Sequence, residues 1–75
     1  MIKVTLDPSV DAATIRLRPI EPGGVKHTYP IPPNDIGGAM VNVKFDKEWR
    51  LISIEVIPAS LHLPQAILDS ADRLG

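Results

Sequence analysis

Apolar and polar residues alternate along most of this chain. Ile2, Val4 and Leu6 fall on one side of a two-residue period and Lys3 and Thr5 on the other; Ala13, Ile15 and Leu17 repeat the pattern against Thr14 and Arg16. That is the pattern of a half-buried strand, whose successive side chains point to opposite faces. The link Asp7-Pro8-Ser9-Val10-Asp11 contains a proline that presets φ for a turn and two carboxylates that accept backbone N–H groups. Strands over residues 2–6 and 13–18 are therefore predicted, joined as an antiparallel hairpin.

Pro19-Ile20-Glu21-Pro22-Gly23-Gly24 stops the second strand and marks a surface turn. Val25, His27, Tyr29 and Ile31 then alternate with Lys26, Thr28 and Pro30, predicting a strand over residues 25–31. Pro30 cannot donate to a ladder and places that strand at an edge. After the loop of residues 32–38, Val41, Val43 and Phe45 oppose Met40, Asn42 and Lys44 over residues 40–45. Ile52, Ile54 and Val56 oppose Leu51, Ser53, Glu55 and Ile57 over residues 51–57. The connecting Asp46-Lys47-Glu48-Trp49-Arg50 suits a hairpin but lacks the glycine often used for a left-handed position, so Trp49 is expected at a loop tip.

Beyond Pro58 the period lengthens to about 3.6, with Leu63, Ile67, Ala71 and Leu74 on one stripe and Leu68 beside it. A helix over residues 64–74 is predicted, with Pro64 in its first turn, Arg73 in its last and Gly75 ending it. At about 11 residues it is too short to stand alone in water and must dock. The expected fold is one α+β domain: an antiparallel sheet of four to five strands, a meander of hairpins, with one C-terminal helix packed on one face.

Composition narrows the function classes. Eight Lys and Arg against nine Asp and Glu give a net charge of −1, which offers no general attraction to nucleic acid or anionic lipid, so neither is expected as a partner. The chain has no cysteine, hence no disulfide and no thiolate metal site, and 75 residues are near the lower limit for a self-sufficient core. Association is an additional stabiliser at this size, and a homodimer is expected. No stretch approaches the roughly 20 apolar residues of a membrane span. The N-terminus enters a strand directly, without the apolar core of a signal peptide, so a cytoplasmic location is expected.

In order along the chain, Ile2-Lys3-Val4-Thr5-Leu6-Asp7-Pro8, Asp11-Ala12-Ala13, Ile15-Arg16-Leu17, and later Ile54-Glu55-Val56-Ile57 with Ala59-Ser60 resemble the small prokaryotic family catalogued as domain of unknown function 2283. Its members look like an opening hairpin of the form aliphatic-x-Val-x-Tyr-Asp-Pro-x-x-Asp-Ala and a later hairpin ending Gly-Ile-Glu-Ile-Leu-x-Ala-Ser. The resemblance spans residues 2–60, with a helix as a common continuation. Leu6 stands where the family favours Tyr, Trp49 where it favours Gly, and Ser53 where Gly often precedes Ile-Glu; residues 19–38 carry a longer insertion. The resemblance implies a fold and not an activity. Some members resemble components of toxin–antitoxin-like gene pairs, which implies an antitoxin-like, partner-binding role.

The residues that could carry chemistry each have a structural reading beside the functional one. Asp7 and Asp11 could converge on a divalent cation, but such a site needs six or more oxygens, and Asp beside Pro in a turn ordinarily caps backbone N–H groups. Glu55 with Asp46 or Glu48 could form an acid–base pair; the spacing puts the latter two at the hairpin end, and a cross-strand partner for Glu55, with Lys44 as the candidate, outweighs it. His27 and His62 sit in different elements without metal-box spacing, and Ser60 lacks a nucleophile elbow and is expected to end a strand or start a turn. No catalytic residue, metal ligand or cofactor is assigned; a small metal-dependent or acid–base enzyme using Asp7, Asp11 and Glu55 is the alternative reading. The preferred reading is a non-catalytic interaction module that self-associates and binds a protein partner, with Tyr29, Trp49, Leu63, Ile67 and Leu68 as contact residues, through strand addition or helix docking.

Overall fold

The computed structural model describes residues 2–74. Six strands form one sheet: β1 (Lys3–Asp7), β2 (Ala12–Arg16), β3 (His27–Ile31), β4 (Met40–Phe45), β5 (Leu51–Ile57) and β6 (Asp72–Arg73). Two short helices, α1 (Ala59–His62) and α2 (Gln65–Ser70), lie between β5 and β6. The spatial order is β3-β4-β5-β2-β1-β6, so the two predicted hairpins are neighbours through β2 and β5, and β3 flanks β4 at the far edge.

The registers turn the alternating pattern into two distinct faces. Leu6, Ala13, Val56, Val41 and Ile31 share one row across the sheet, and Val4, Ile15, Ile54, Val43 and Tyr29 share the next. Both rows belong to one apolar face. The opposite face carries Lys3, Arg16, Ser53, Lys44 and Thr28 in one row and Thr5, Thr14, Glu55, Asn42 and Pro30 in another. A bulge between Lys44 and Phe45 shifts the β4–β5 register, leaving Ile52 and Ser53 both buried.

The fold differs from the expectation in strand number and order, with six strands where four to five were expected and β2 and β3 apart rather than adjacent as in a meander, and in three further ways. The sheet is mixed rather than wholly antiparallel, because β6 pairs in parallel with β1, Thr5 opposite Asp72 and Leu6 opposite Arg73. The single helix expected over residues 64–74 is reduced to the six residues of α2, and a second short helix precedes it. An unforeseen turn of helix, α1, follows the cis Ile57–Pro58 bond, and α2 stops at Ser70, whose hydroxyl donates to the Ile67 carbonyl at 3.1 Å. Ala71 is already extended, with φ −69° and ψ 144°, and Arg73 lies in a strand rather than a last helical turn. The physical cause is the free edge of β1: the Leu74 N–H donates to the Leu6 carbonyl at 2.8 Å, and Lys3 meets Asp72 at 3.7 Å. Satisfying a row of open backbone groups outweighs a weak helical periodicity. Gly75, expected as the helix stop, lies outside the described residues. Finally, β2 ends at Arg16 and β3 starts at His27, shorter than residues 13–18 and 25–31; Pro19 and the Glu21–Gly24 turn, closed by Gly24 N–H to the Glu21 carbonyl at 2.9 Å, bound them.

The helices cover one corner of the apolar face. Leu6, Ala13, Ala59 and Leu68 form the buried cluster, with Leu63 and Ala71 packed against it. Ala13 and Ala59 have no exposed surface; α1 packs on β5, with Ala59 in one cluster with Ala13 of β2. Among the described residues, no helix is long and apolar enough to cross a membrane.

Candidate interaction surface

Asp7 and Asp11 do not converge on a shared site. Asp7 folds back on its own turn and accepts from the Ser9 N–H at 3.1 Å and from the Ser9 hydroxyl at 2.6 Å, the capping expected of it. Asp11 does something the turn reading did not foresee: it reaches across the fold to the start of α1. One carboxylate oxygen accepts from the Ser60 N–H at 3.1 Å and the other from the Ser60 hydroxyl, while the Asp11 carbonyl accepts from the Ala59 N–H at 2.7 Å. Three donors at the opening of a helix are thereby satisfied by one residue, which sits at φ 52°, a left-handed conformation that Asp and Asn tolerate best after Gly. Asp11-Ala12 and Ala59-Ser60, at opposite ends of the motif-bearing stretch, are one structural unit.

Glu55 accepts from the Asn42 amide at 3.2 Å, its register neighbour on β4. The expected partner Lys44 instead lies opposite Ser53, two pairs along the same regular register and before the bulge. Among the described residues, no three His, Asp or Glu side chains are grouped so as to hold a metal ion. Ser60 opens α1 and serves its cap, and the His62 ring lies beside Gly37. The geometry does not bring Asp7, Asp11 and Glu55 together.

Asp46 organises the β4–β5 turn. It is buried and accepts from the backbone N–H groups of Glu48 and Arg50, both at 2.9 Å, and from the Arg18 guanidinium at 2.9 Å. The Arg50 N–H is the chief cause that holds its carboxyl below the usual value; burial opposes it, and the Glu48 N–H and the Arg18 and Arg50 charges add to the lowering. Trp49 occupies the left-handed position of this turn, at φ 63°, where a bulky residue is a genuine outlier. Its indole stacks on the His27 ring, centroids 3.7 Å apart and planes within 7°, and tilts against Phe45 at 5.6 Å. His27 and Phe45 are register partners on the apolar face, so Trp49 forms a wall at that end of it.

Between this wall and the helices the apolar face lies open. The row of Tyr29, Val43, Ile54, Ile15 and Val4 forms the floor of a trough. Tyr29 is 57% exposed and Trp49 62%, and Val43, Ile54 and Ile15 are half-buried. Among the described residues of β1 to β5, the positions on this face include no Asp, Glu, Lys or Arg; the charge in register with it is Arg73 of β6, beside Leu6 at the sheet edge. Of the predicted contact residues, Tyr29 and Trp49 thus flank one surface, whereas Leu68 is in the chain's own core and Leu63 packs against it. Ile67, 36% exposed, lies outside that cluster. The trough was missed as a unit in the sequence because it depends on strand order; the alternation supplied its residues but not their adjacency.

A polar cleft of about 340 Å³ at the same end of the sheet is lined by Arg18, Lys26, Asp46 and Arg50 together with the Gly23–Gly24 turn. Two of its three carboxylates are engaged, Asp46 with Arg18 and Glu48 with Arg50; the third is Glu21 of the adjoining turn. It therefore reads as the ion-paired support of the Trp49 turn.

No curated protein and no solved structure matches this chain. The model of a protein family of unknown function, DUF2283, matches residues 3–60, from the first residue of β1 to the serine that Asp11 holds, and the chain belongs to that family.

Proposed function

We propose that this protein is a non-catalytic protein-interaction module whose docking surface is the open trough on the apolar face. The observation that supports this reading is the uncharged row Tyr29-Val43-Ile54-Ile15-Val4 left uncovered between two raised walls. Exposed contiguous apolar surface of this kind marks interaction sites in folded domains, and Tyr and Trp at its margin are the residue types most enriched in binding hot spots. Docking by strand addition, the other mode considered, has less support: β3 loses a donor at Pro30, and β6, at the opposite edge, is two residues long, both ways of blunting a sheet edge. An antitoxin-like pairing, implied by the family resemblance, would use the same trough with a different protein as occupant.

The test is a pair of substitutions on adjacent residues of β4 that face opposite ways. Val43→Asp puts a charge on the trough floor, and Lys44→Glu reverses one on the far face. With tagged full-length chain expressed in its own cell, association is expected to disappear with Val43→Asp and persist with Lys44→Glu. Equal association in the two variants overturns the assignment of the surface.

A further inference from the structure

We infer that the occupant of the trough is a second copy of this chain, packed face to face about a two-fold axis; the inference rests on the docking reading above and specifies its partner. Four observations converge on it. The first is shape: the molecule is a slab of 32 × 29 × 19 Å, in which the helices supply a second layer over only one corner of the sheet. Domains are stable as two packed layers about a shared core, and a second sheet at the usual spacing of about 10 Å supplies the missing one.

The second is area. A monomeric protein of 8.2 kDa is expected to expose about 4,500 Å², whereas this chain exposes 5108 Å². The excess of roughly 600 Å² is close to the ~800 Å² that each partner buries in a standard interface. The third is charge. A two-fold axis sets every residue of the face against the same set of residues, so any formal charge near the centre would meet its own kind. The trough floor carries none, which makes it compatible with itself, and homodimer interfaces are the more apolar class. A partner recognised by charge would have nothing here to read. The fourth is the state of the edges. With β3 interrupted by Pro30 and β6 reduced to two residues, two copies cannot readily join into one continuous sheet, and the face is the remaining large apolar surface.

In such a dimer the trough floor of one copy meets that of the other, and Trp49, stacked on His27, stands at the rim as an anchor. Its rigidity follows from the Asp46-pinned turn beneath it, so little side-chain freedom remains to be lost on association.

The experiment is sedimentation equilibrium of the untagged chain from about 10 to about 500 µM, the range over which a moderate dimer dissociates by mass action. The wild type is expected at twice 8.2 kDa at the upper end. Val43→Asp is expected to weaken association by at least about 30-fold, as loss of a hot spot does, while Lys44→Glu on the opposite face leaves it within a few-fold. If Val43→Asp fails to fold, as judged by far-ultraviolet circular dichroism, Tyr29→Asp replaces it, since a side chain 57% exposed is not needed for the core. A wild type that stays at 8.2 kDa throughout, or a dimer unaffected by Val43→Asp or Tyr29→Asp, overturns the inference. A monomer that nevertheless loses a cellular partner with Val43→Asp leaves the docking surface standing and removes only the second copy.

Discussion

Asp11 gives the sharpest test of how this sequence holds its fold, because two separable effects meet in one residue. Its carboxylate caps α1 through the Ser60 N–H and hydroxyl, and its backbone sits at φ 52°. Removing an N-cap acceptor costs about 1 kcal/mol in typical hosts, and forcing a residue with a Cβ and no local hydrogen bond into the left-handed region costs about 1–2 kcal/mol. Asp11→Gly removes the first interaction and accommodates the second, so a loss of about 1 kcal/mol is expected. Asp11→Ala suffers both, for about 2–3 kcal/mol. Asp11→Asn keeps an acceptor oxygen and a side chain that visits the left-handed region, and is expected within about 0.5 kcal/mol of wild type. For a domain of this size each kcal/mol moves the melting midpoint by about 4–8 °C, so the order Asn, Gly, Ala is resolvable by circular dichroism melts. Ser60→Ala adds a coupling test: its cost is expected to vanish in the Asp11→Gly background, because the acceptor is already gone. If Asp11→Ala melts with the wild type, the carboxylate does not anchor α1. If Asp11→Gly is as damaging as Asp11→Ala, the backbone contribution is refuted.

Other perturbations probe the remaining supports of the site. Trp49→Gly relieves the left-handed backbone by about 1–2 kcal/mol but forfeits the indole stack, worth about 0.5–1.5 kcal/mol beyond area burial, so its melting midpoint is expected near that of wild type and above that of Trp49→Ala; the reverse order counts against strain at this position. Ala13→Leu drives three extra heavy atoms into a fully buried position under α1 and should cost about 1–3 kcal/mol, read as the midpoint of urea unfolding; an unchanged midpoint would mean that the corner is looser than described. Asp46 has its carboxyl held below its ordinary 3.8, so its ionised form stabilises the fold above that value, and this contribution is lost as pH falls through the lower folded value. Asp46→Asn is therefore expected to be less stable than wild type at pH 7, with the difference shrinking below pH 3.8; a difference that grows on acidification would contradict the sign.

The two-residue period was readable because it belongs to each strand separately. Ile15 points to the apolar face whichever strand lies beside β2, so both faces could be drawn from the sequence before any strand order was known. Strand order is a different kind of quantity. Nothing local to Ala12–Arg16 or Leu51–Ile57 says that they pair, and the trough exists only because they do. The C-terminal segment failed for a related reason. Ala71 is half-buried against the core in the extended chain, so an apolar residue placed in a helical stripe can serve a strand equally well. The deciding interaction, the open edge of β1, pairs Thr5 with Asp72 and Leu6 with Arg73, each 67 residues apart in sequence, and no window of periodicity contains it. Asp11 shows the same limit within a motif that was recognised: its chemistry as a cap was legible, while its partner, 49 residues away, was not.

Trp49 connects the local reading to the functional one. From the sequence, the absence of glycine between Asp46 and Arg50 pointed only to Trp49 at a loop tip; the structure puts it at φ 63°, and a strained position persists only where its surroundings over-determine it. Asp46 does that: with both turn N–H groups and the Arg18 guanidinium on one carboxylate, the turn is held closed whatever residue occupies the left-handed site. Glycine would fit that site without strain and is what the family pattern favours, yet it would leave His27 uncovered and lower the wall of the trough. A side chain kept where the backbone disfavours it, on a turn rigid enough to bear it and beside an uncharged apolar floor, is what the docking surface proposed above requires of its rim.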